Sequence, residues 1–198
     1  MPPCFQLPVT PVLPDEPKKS AHEQSRTIVF VDESGLRERP QRYRTWAPRG
    51  QTPVLEFNVN WHILSMIGGI TWWTFFFRLF RGAIRGPQVV IFLEHLMRHL
   101  PGTLLVIWDG LSPHRSRLVR DVVARQQGRI VLEFLPAYAP DLNPAEDIWG
   151  YLKQHELPNL CPKSFWQLND HCRRALRRMR RRPTLVRAFW EQAQLFEF

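Results

Sequence analysis

Two stretches of this chain are apolar at every position and end at an aspartate: residues 28–31 in TIVFVDES, closed by Asp32, and residues 104–108 in TLLVIWDG, closed by Asp109. A strand with one wet face alternates polar and apolar residues, so an uninterrupted run must be covered on both sides. The chain must therefore supply helices for both faces of a sheet. It does so in PQVVIFLEHLMRHL (87–100), where Val90, Phe92, Leu93, Leu96, Met97 and Leu100 recur at helical spacing behind a proline suited to a first turn. A second helix is predicted over 112–128, with Ser112-Pro113 as its start and Gly128 as its stop. Further strands are expected near 53–59, 61–67, 71–79 and in RIVLEFLP, the middle ones as an antiparallel meander with Gly68-Gly69 as a turn. Strands that neighbour one another first and alternate with helices later predict an α/β fold, a mixed central sheet of about five strands flanked by helices.

The 198 residues, 44% of them hydrophobic, suffice for one substantial core. Residues 1–25 hold six prolines by position 17 and then KKSAHEQSR, a composition of linker or tail; the main folded domain is expected over 26–160 and a basic helical extension over 161–198. A formal charge of +9 points to a polyanionic partner, with nucleic acid ahead of an anionic membrane surface. The near-apolar stretch 61–80 reads as buried strands, because its glycine pair, its β-branched and aromatic residues and Arg78 do not suit a membrane helix. Three cysteines without a close pair fit a reducing cytoplasm and no zinc finger; His155, Cys161, His171 and Cys172 have no compact metal spacing, and His95 and His99 read as surface histidines.

Carboxylates at strand ends are rigidly placed, and hard oxygen donors are what Mg²⁺ requires. Asp32 and Asp109 are such residues, and Glu146 in LEFLPAYAPDLNPAEDIWGYLK is a third. Each also has a local explanation. An aspartate after an apolar run starts turns, and Asn143-Pro144-Ala145-Glu146 has the spacing of a capping box. Asp147 lies about 100° around the helix from Glu146, beside an apolar stripe of Ala145, Ile148, Trp149 and Leu152. Glu33, next to Asp32, faces the opposite side of its strand as a supporting residue, and His114 follows Asp109 as an auxiliary candidate for orienting a phosphate or water. Arg173, Arg174, Arg177, Arg178 and Arg181 share a broad helical stripe suited to DNA phosphates, and Arg42, Arg44 and Arg49 form a second basic patch with Arg37 and Arg39.

FVDESG, VIWDGLSPHRS and LPAYAPDLNPAEDIWGYLK, in that order, closely resemble the DDE-type transposases of bacterial insertion sequences related to the mariner elements. The resemblance spans about residues 26–155, including WAPRGQTP; Pro136, Tyr138, Pro140, Asp141, Leu142, Asn143, Pro144, Glu146 and Trp149 match the family's signature. It departs at Gly110, where the family commonly has asparagine. The resemblance implies a ribonuclease H-like core in which Asp32, Asp109 and Glu146 hold a pair of Mg²⁺ ions, with Mn²⁺ able to substitute. It also implies cleavage of DNA at element ends by water and attack of the freed 3′ hydroxyl on target DNA. The expected partners are DNA and further copies of the chain assembled on it. A helix-turn-helix subunit from an upstream reading frame would supply end recognition, since residues before 26 have no room for one. The expected location is the bacterial cytoplasm, at the nucleoid. The competing expectation is a catalytically decayed or repurposed DNA-binding or assembly protein of the same fold.

Overall fold

A computed structural model of the chain describes residues 26–57, 62–136 and 142–193. Its strands are β1 (Thr27–Arg37), β2 (Ile63–Ile70), β3 (Phe75–Arg81), β4 (Leu104–Trp108) and β5 (Ile130–Phe134). Its helices are α1 (Gly86–His99), α2 (Arg117–Arg125), α3 (Pro144–Tyr151), α4 (Phe165–Arg180) and α5 (Pro183–Gln192), with a short π-helical stretch, Leu152–Glu156, continuing α3. The five strands form one mixed sheet in the order β3-β2-β1-β4-β5. The β1–β2 and β2–β3 pairs are antiparallel, and β1–β4 and β4–β5 are parallel. This is a ribonuclease H-like arrangement, with β1, the first apolar run, at its centre.

Alternation along the strands divides the core in two. Phe30, Leu64, Met66, Phe75, Leu105 and Ile107 face α3, α4 and α5, whose Trp149, Leu176, Val186 and Trp190 complete that side. Val29, Val31, Ile67, Val106 and Trp108 face α1 and α2, packing on Val89, Phe92, Leu96 and Val119. Residues beyond 160, expected as an extension, supply Phe165, Leu168, Cys172, Met179 and Phe189 to the first cluster, so the sheet's cover on that side includes them.

Local chemistry sets the helix starts, in places away from the sequence expectation. Ser116, not Ser112, caps α2, its hydroxyl accepting from the Val119 N–H, because residues 112–115 form a turn before the helix. Ser164 caps α4 through the Gln167 N–H at 3.2 Å. The Gly68-Gly69 pair is not a turn. Both glycines lie inside β2, and the reversal is made by residues 71–74, where the Thr71 hydroxyl donates to the Thr74 carbonyl at 2.9 Å and accepts from the Thr74 N–H at 3.2 Å. Residues 53–57 form no strand, and 58–61 lie outside the described residues, as do Tyr138, Pro140, Asp141 and the stretch 1–25. Among the described residues no helix is long and apolar enough to cross a membrane.

Candidate active site

Asp32 does not end its strand. β1 continues to Arg37 because its far half pairs with β2, while its parallel pairing with β4 stops at Phe30 opposite Ile107. Two residues further along each chain from that pair stand Asp32 and Asp109. Side chains two apart in a strand share a face, so the two carboxylates emerge side by side, just beyond the last paired rung and on the face covered by α3.

The third acid is brought in by a clamp that the sequence reading missed. Asn143 Oδ1 accepts from the Ala145 N–H at 3.1 Å, which caps α3, while its Nδ2 donates to the Val31 carbonyl at 3.2 Å. One side chain thus starts the helix and anchors it to β1 next to Asp32. The cap falls on the second helical N–H and not the third, and the Glu146 N–H is taken by the Asn143 carbonyl at 3.0 Å. The helix start therefore does not depend on the Glu146 side chain, which is exposed at the site's rim.

Packing brings α3 close to the sheet. Gly68 is the β2 residue opposite Asp32, and a Cβ there would sit 2.8 Å from Cζ2 and 2.9 Å from Cη2 of Trp149. The indole occupies the space that any other residue would fill. Gly69, on the other face, leaves the same allowance for Val29, Phe92 and Val31. These contacts are why the glycines stand in the strand.

Asp32 is 7% exposed, and its Oδ2 has no hydrogen-bond partner among the described residues. Burial raises its pKa, and the charges of Glu146 and then Asp109 raise it further, to about 7. The Glu33 backbone N–H and the Trp149 indole offset part of this, the indole from a position that makes no hydrogen bond of ordinary geometry. Glu146, exposed at the rim yet partly shielded from water by the protein around it, is likewise raised by that desolvation and by Asp109, against the pull of Lys153. Lys153, not singled out from sequence, donates to Ser34 Oγ at 2.7 Å, two residues along β1 from Asp32 and on the same face.

Asp109 behaves oppositely. Burial would raise its pKa, but the His114 hydrogen bond, the Leu111 N–H and the His114 charge outweigh it and hold the carboxyl below its ordinary range. His114 Nδ1 lies 2.7 Å from Asp109 Oδ1, and Nε2 lies 3.0 Å from Glu33 Oε1. Burial alone would lower the imidazole; its bonds to Asp109 and Glu33 instead push it up to about 9, so it is an imidazolium at neutral pH. His114 therefore faces two carboxylates from within a turn, where the sequence placed it at a helix start free to meet a phosphate. At Gly110 a Cβ would come within 2.5 Å of the Arg115 guanidinium, so a larger residue there requires Arg115 to move.

Among the described residues no three His, Cys, Asp or Glu side chains are arranged so that, as they stand, they could hold a metal ion. Asp32, Asp109 and Glu146 are nonetheless near enough for their charges to oppose one another, a repulsion that a cation would relieve. That donor set fits a hard divalent ion, which keeps waters among its ligands. His95 is half-buried and not a surface residue: burial and then Arg78, 3.3 Å from its Nδ1, lower its pKa to about 4. On α4, Arg174 is paired with Asp170 at 2.8 Å and Arg178 with Glu156, while Arg177 and Arg181 are exposed and meet no acidic side chain among the described residues. Arg173 is half-buried, and Arg42, Arg44 and Arg49 are exposed in the loop after β1.

Known structures share this framework. The crystal structure of the mariner Mos1 paired end complex with Mg is matched over 100% of this chain and 68% of that one, at 18% identity and a TM-score of 0.59. A pre-cleavage Mos1 transpososome is matched with the same coverage, at 14% identity and a TM-score of 0.57. The Mos1 catalytic domain with Raltegravir and Mn is covered to 92%, as is this chain, at 15% identity and a TM-score of 0.52. No curated protein matches the sequence. The model of the DDE superfamily endonuclease family matches residues 27–169, which takes in Asp32, Asp109 and Glu146, and the chain belongs to that family.

Proposed function

We propose that this chain is the catalytic core of a DNA transposase, which cleaves DNA strands at element ends and joins the freed 3′ hydroxyl to target DNA. The observation that carries the reading is the proximity of Asp32, Asp109 and Glu146, each within reach of another's charge, with an Asp32 oxygen that has no hydrogen-bond partner among the described residues. These three would hold Mg²⁺ or Mn²⁺, as a pair of ions. When bound there, such ions would supply activation of the attacking oxygen and stabilisation of the leaving one. The Mos1 structures with Mg and with Mn support the choice of ion.

The chain's own residues supply position and charge. Asp32 is rigidly placed, since its backbone stays in β1 through its pairing with Gly68 of β2. Asp109 and Glu146, nearer the surface, can meet a polymer lying across the site. Arg177 on α4 and Arg181 at its C-cap, with Arg42, Arg44 and Arg49 after β1, are suited to phosphates beyond the reacting one. The Mos1 complexes support assembly of several copies on DNA, and the end-recognition helices are proposed to come from a separate subunit. The working place of such a protein is the cytoplasm of a cell whose DNA lies there.

Purified protein incubated with element-end DNA and Mg²⁺ or Mn²⁺ is expected to nick the ends and join them to a target duplex. Asp109→Asn is expected to abolish both steps while DNA affinity in EDTA stays near that of the unaltered protein. Full cleavage by that variant would overturn the assignment.

A further inference from the structure

We infer that Glu33 and His114 act as a pair that fixes the Asp109 carboxylate in the orientation a metal ion needs, which makes both of them positioning residues. The inference rests on the carboxylates being a metal site, and deepens that reading.

His114 is 1% exposed and has no freedom left. Its ring lies flat on the buried Trp108 indole, with centroids 4.3 Å apart and an angle of 1° between planes. Rotation within that plane is blocked by an oxygen at each nitrogen. Nδ1 has Asp109 Oδ1 at 2.7 Å and the Asp109 backbone carbonyl at 3.0 Å, and Nε2 has Glu33 Oε1 at 3.0 Å. Asp109 itself stands past the end of β4 and is 41% exposed, so no strand pairing restrains its side chain. Its ion-pair contact with His114 and its hydrogen bond from the Leu111 N–H at 3.2 Å both fall on Oδ1. Oδ2 is the oxygen they leave for an ion.

Strand alternation gives Glu33 its part. It projects from the face of β1 opposite to Asp32, away from the acids, and returns to them only because residues 109–116 wrap around the end of β4 and carry His114 to it. Adjacent residues of one strand thus serve the site from both faces: Asp32 directly, and Glu33 through the imidazole. Groups that orient ligand side chains in this way typically change metal affinity roughly 10- to 100-fold.

The test is Mn²⁺ binding to the metal-stripped full chain by titration calorimetry without DNA, with thermal unfolding in EDTA as the fold control. Glu33→Ala is expected to weaken Mn²⁺ binding roughly 10-fold or more. Glu33→Gln, whose amide oxygen still accepts from Nε2, is expected to stay near the unaltered protein. Combining Glu33→Ala with His114→Ala is expected to add little to His114→Ala alone, since the two act through one contact. If Glu33→Ala does not fold, His114→Gln asks the same question, because its amide cannot span both carboxylates. Unchanged Mn²⁺ affinity in Glu33→Ala, or in His114→Gln where that variant stands in for it, overturns the inference while loss of binding in Asp32→Asn leaves the metal site standing. Unchanged affinity in Asp32→Asn as well overturns both.

Discussion

A carboxylate buried beside two others resists ionisation unless a cation joins them, and Asp32 is in that position. Its pKa stands near 7 in the folded chain against an ordinary 3.8. Between those values the folded protein holds a proton that the unfolded chain has released, so this group's contribution to stability falls as pH rises from about 4 to about 7. Asp109, depressed, works in the other direction and loses its contribution as pH falls, while that of His114, raised to about 9, is present below its ordinary 6.5 and is lost as pH rises through 9. In metal-free protein, Asp32→Asn is therefore expected to be the more stable form at pH 8, by up to about 4 kcal/mol, with the difference closing as pH falls toward 4. Thermal unfolding in EDTA across that range checks it. Mn²⁺ at pH 8 should raise the Tm of the unaltered protein and leave that of Asp32→Asn where it was; equal gains in both would remove Asp32 from the site.

At the scale of elements, α3 is the part that decides whether three acids form one site. It is held to β1 by the Asn143 bond to Val31, and against β2 by Trp149 over Gly68. Gly68→Ala would push a methyl into a buried aromatic ring with no room to recede. We expect a loss of about 1–3 kcal/mol in urea unfolding, as for other overfilled cores, together with loss of metal-dependent cleavage as α3 carries Glu146 away from Asp32. Gly150, on the same helix, has nothing within 4 Å of an added Cβ, so Gly150→Ala should leave cleavage intact and gain up to about 1 kcal/mol from helix propensity. Comparable effects of the two substitutions would show that the Trp149 contact does not position the helix. The glycine pair illustrates what pattern reading misses: a neighbouring Gly-Gly has the look of a turn, and only the ring packed against it explains its place in a strand.

For the whole molecule, charge is the property that composition announces and the fold distributes. Of the α4 arginines grouped from sequence, Arg174 and Arg178 spend their charge on Asp170 and Glu156, which leaves Arg177 and Arg181 the more available to a polyanion. Replacing both by glutamine is expected to weaken DNA binding across sequences and to lower the slope of log affinity against log salt by about 1–2. The same change at Arg174 and Arg178 should do less. Fluorescence anisotropy over a salt series measures both, and an unchanged slope in the first variant would place the DNA elsewhere. The C-terminal helices also close one face of the sheet, so the surface that carries these arginines is fastened to the core.

Short-range chemistry determined what the sequence could determine. Apolar runs need cover on both faces, so β1 and β4 were legible as central strands; Pro144 and Asn143 start a helix through bonds to their immediate neighbours. The three acids were legible as candidates through their place beside those elements and through the family resemblance. The tertiary structure decided how these pieces meet. Asp32 sits within β1, not at its end, because β2 extends the pairing that β4 abandons. Glu33 reaches the site because a loop 81 residues away carries His114 to it. Local energies depend on a residue's own neighbours along the chain, whereas register, burial and the charge one carboxylate imposes on another depend on partners that only folding brings together.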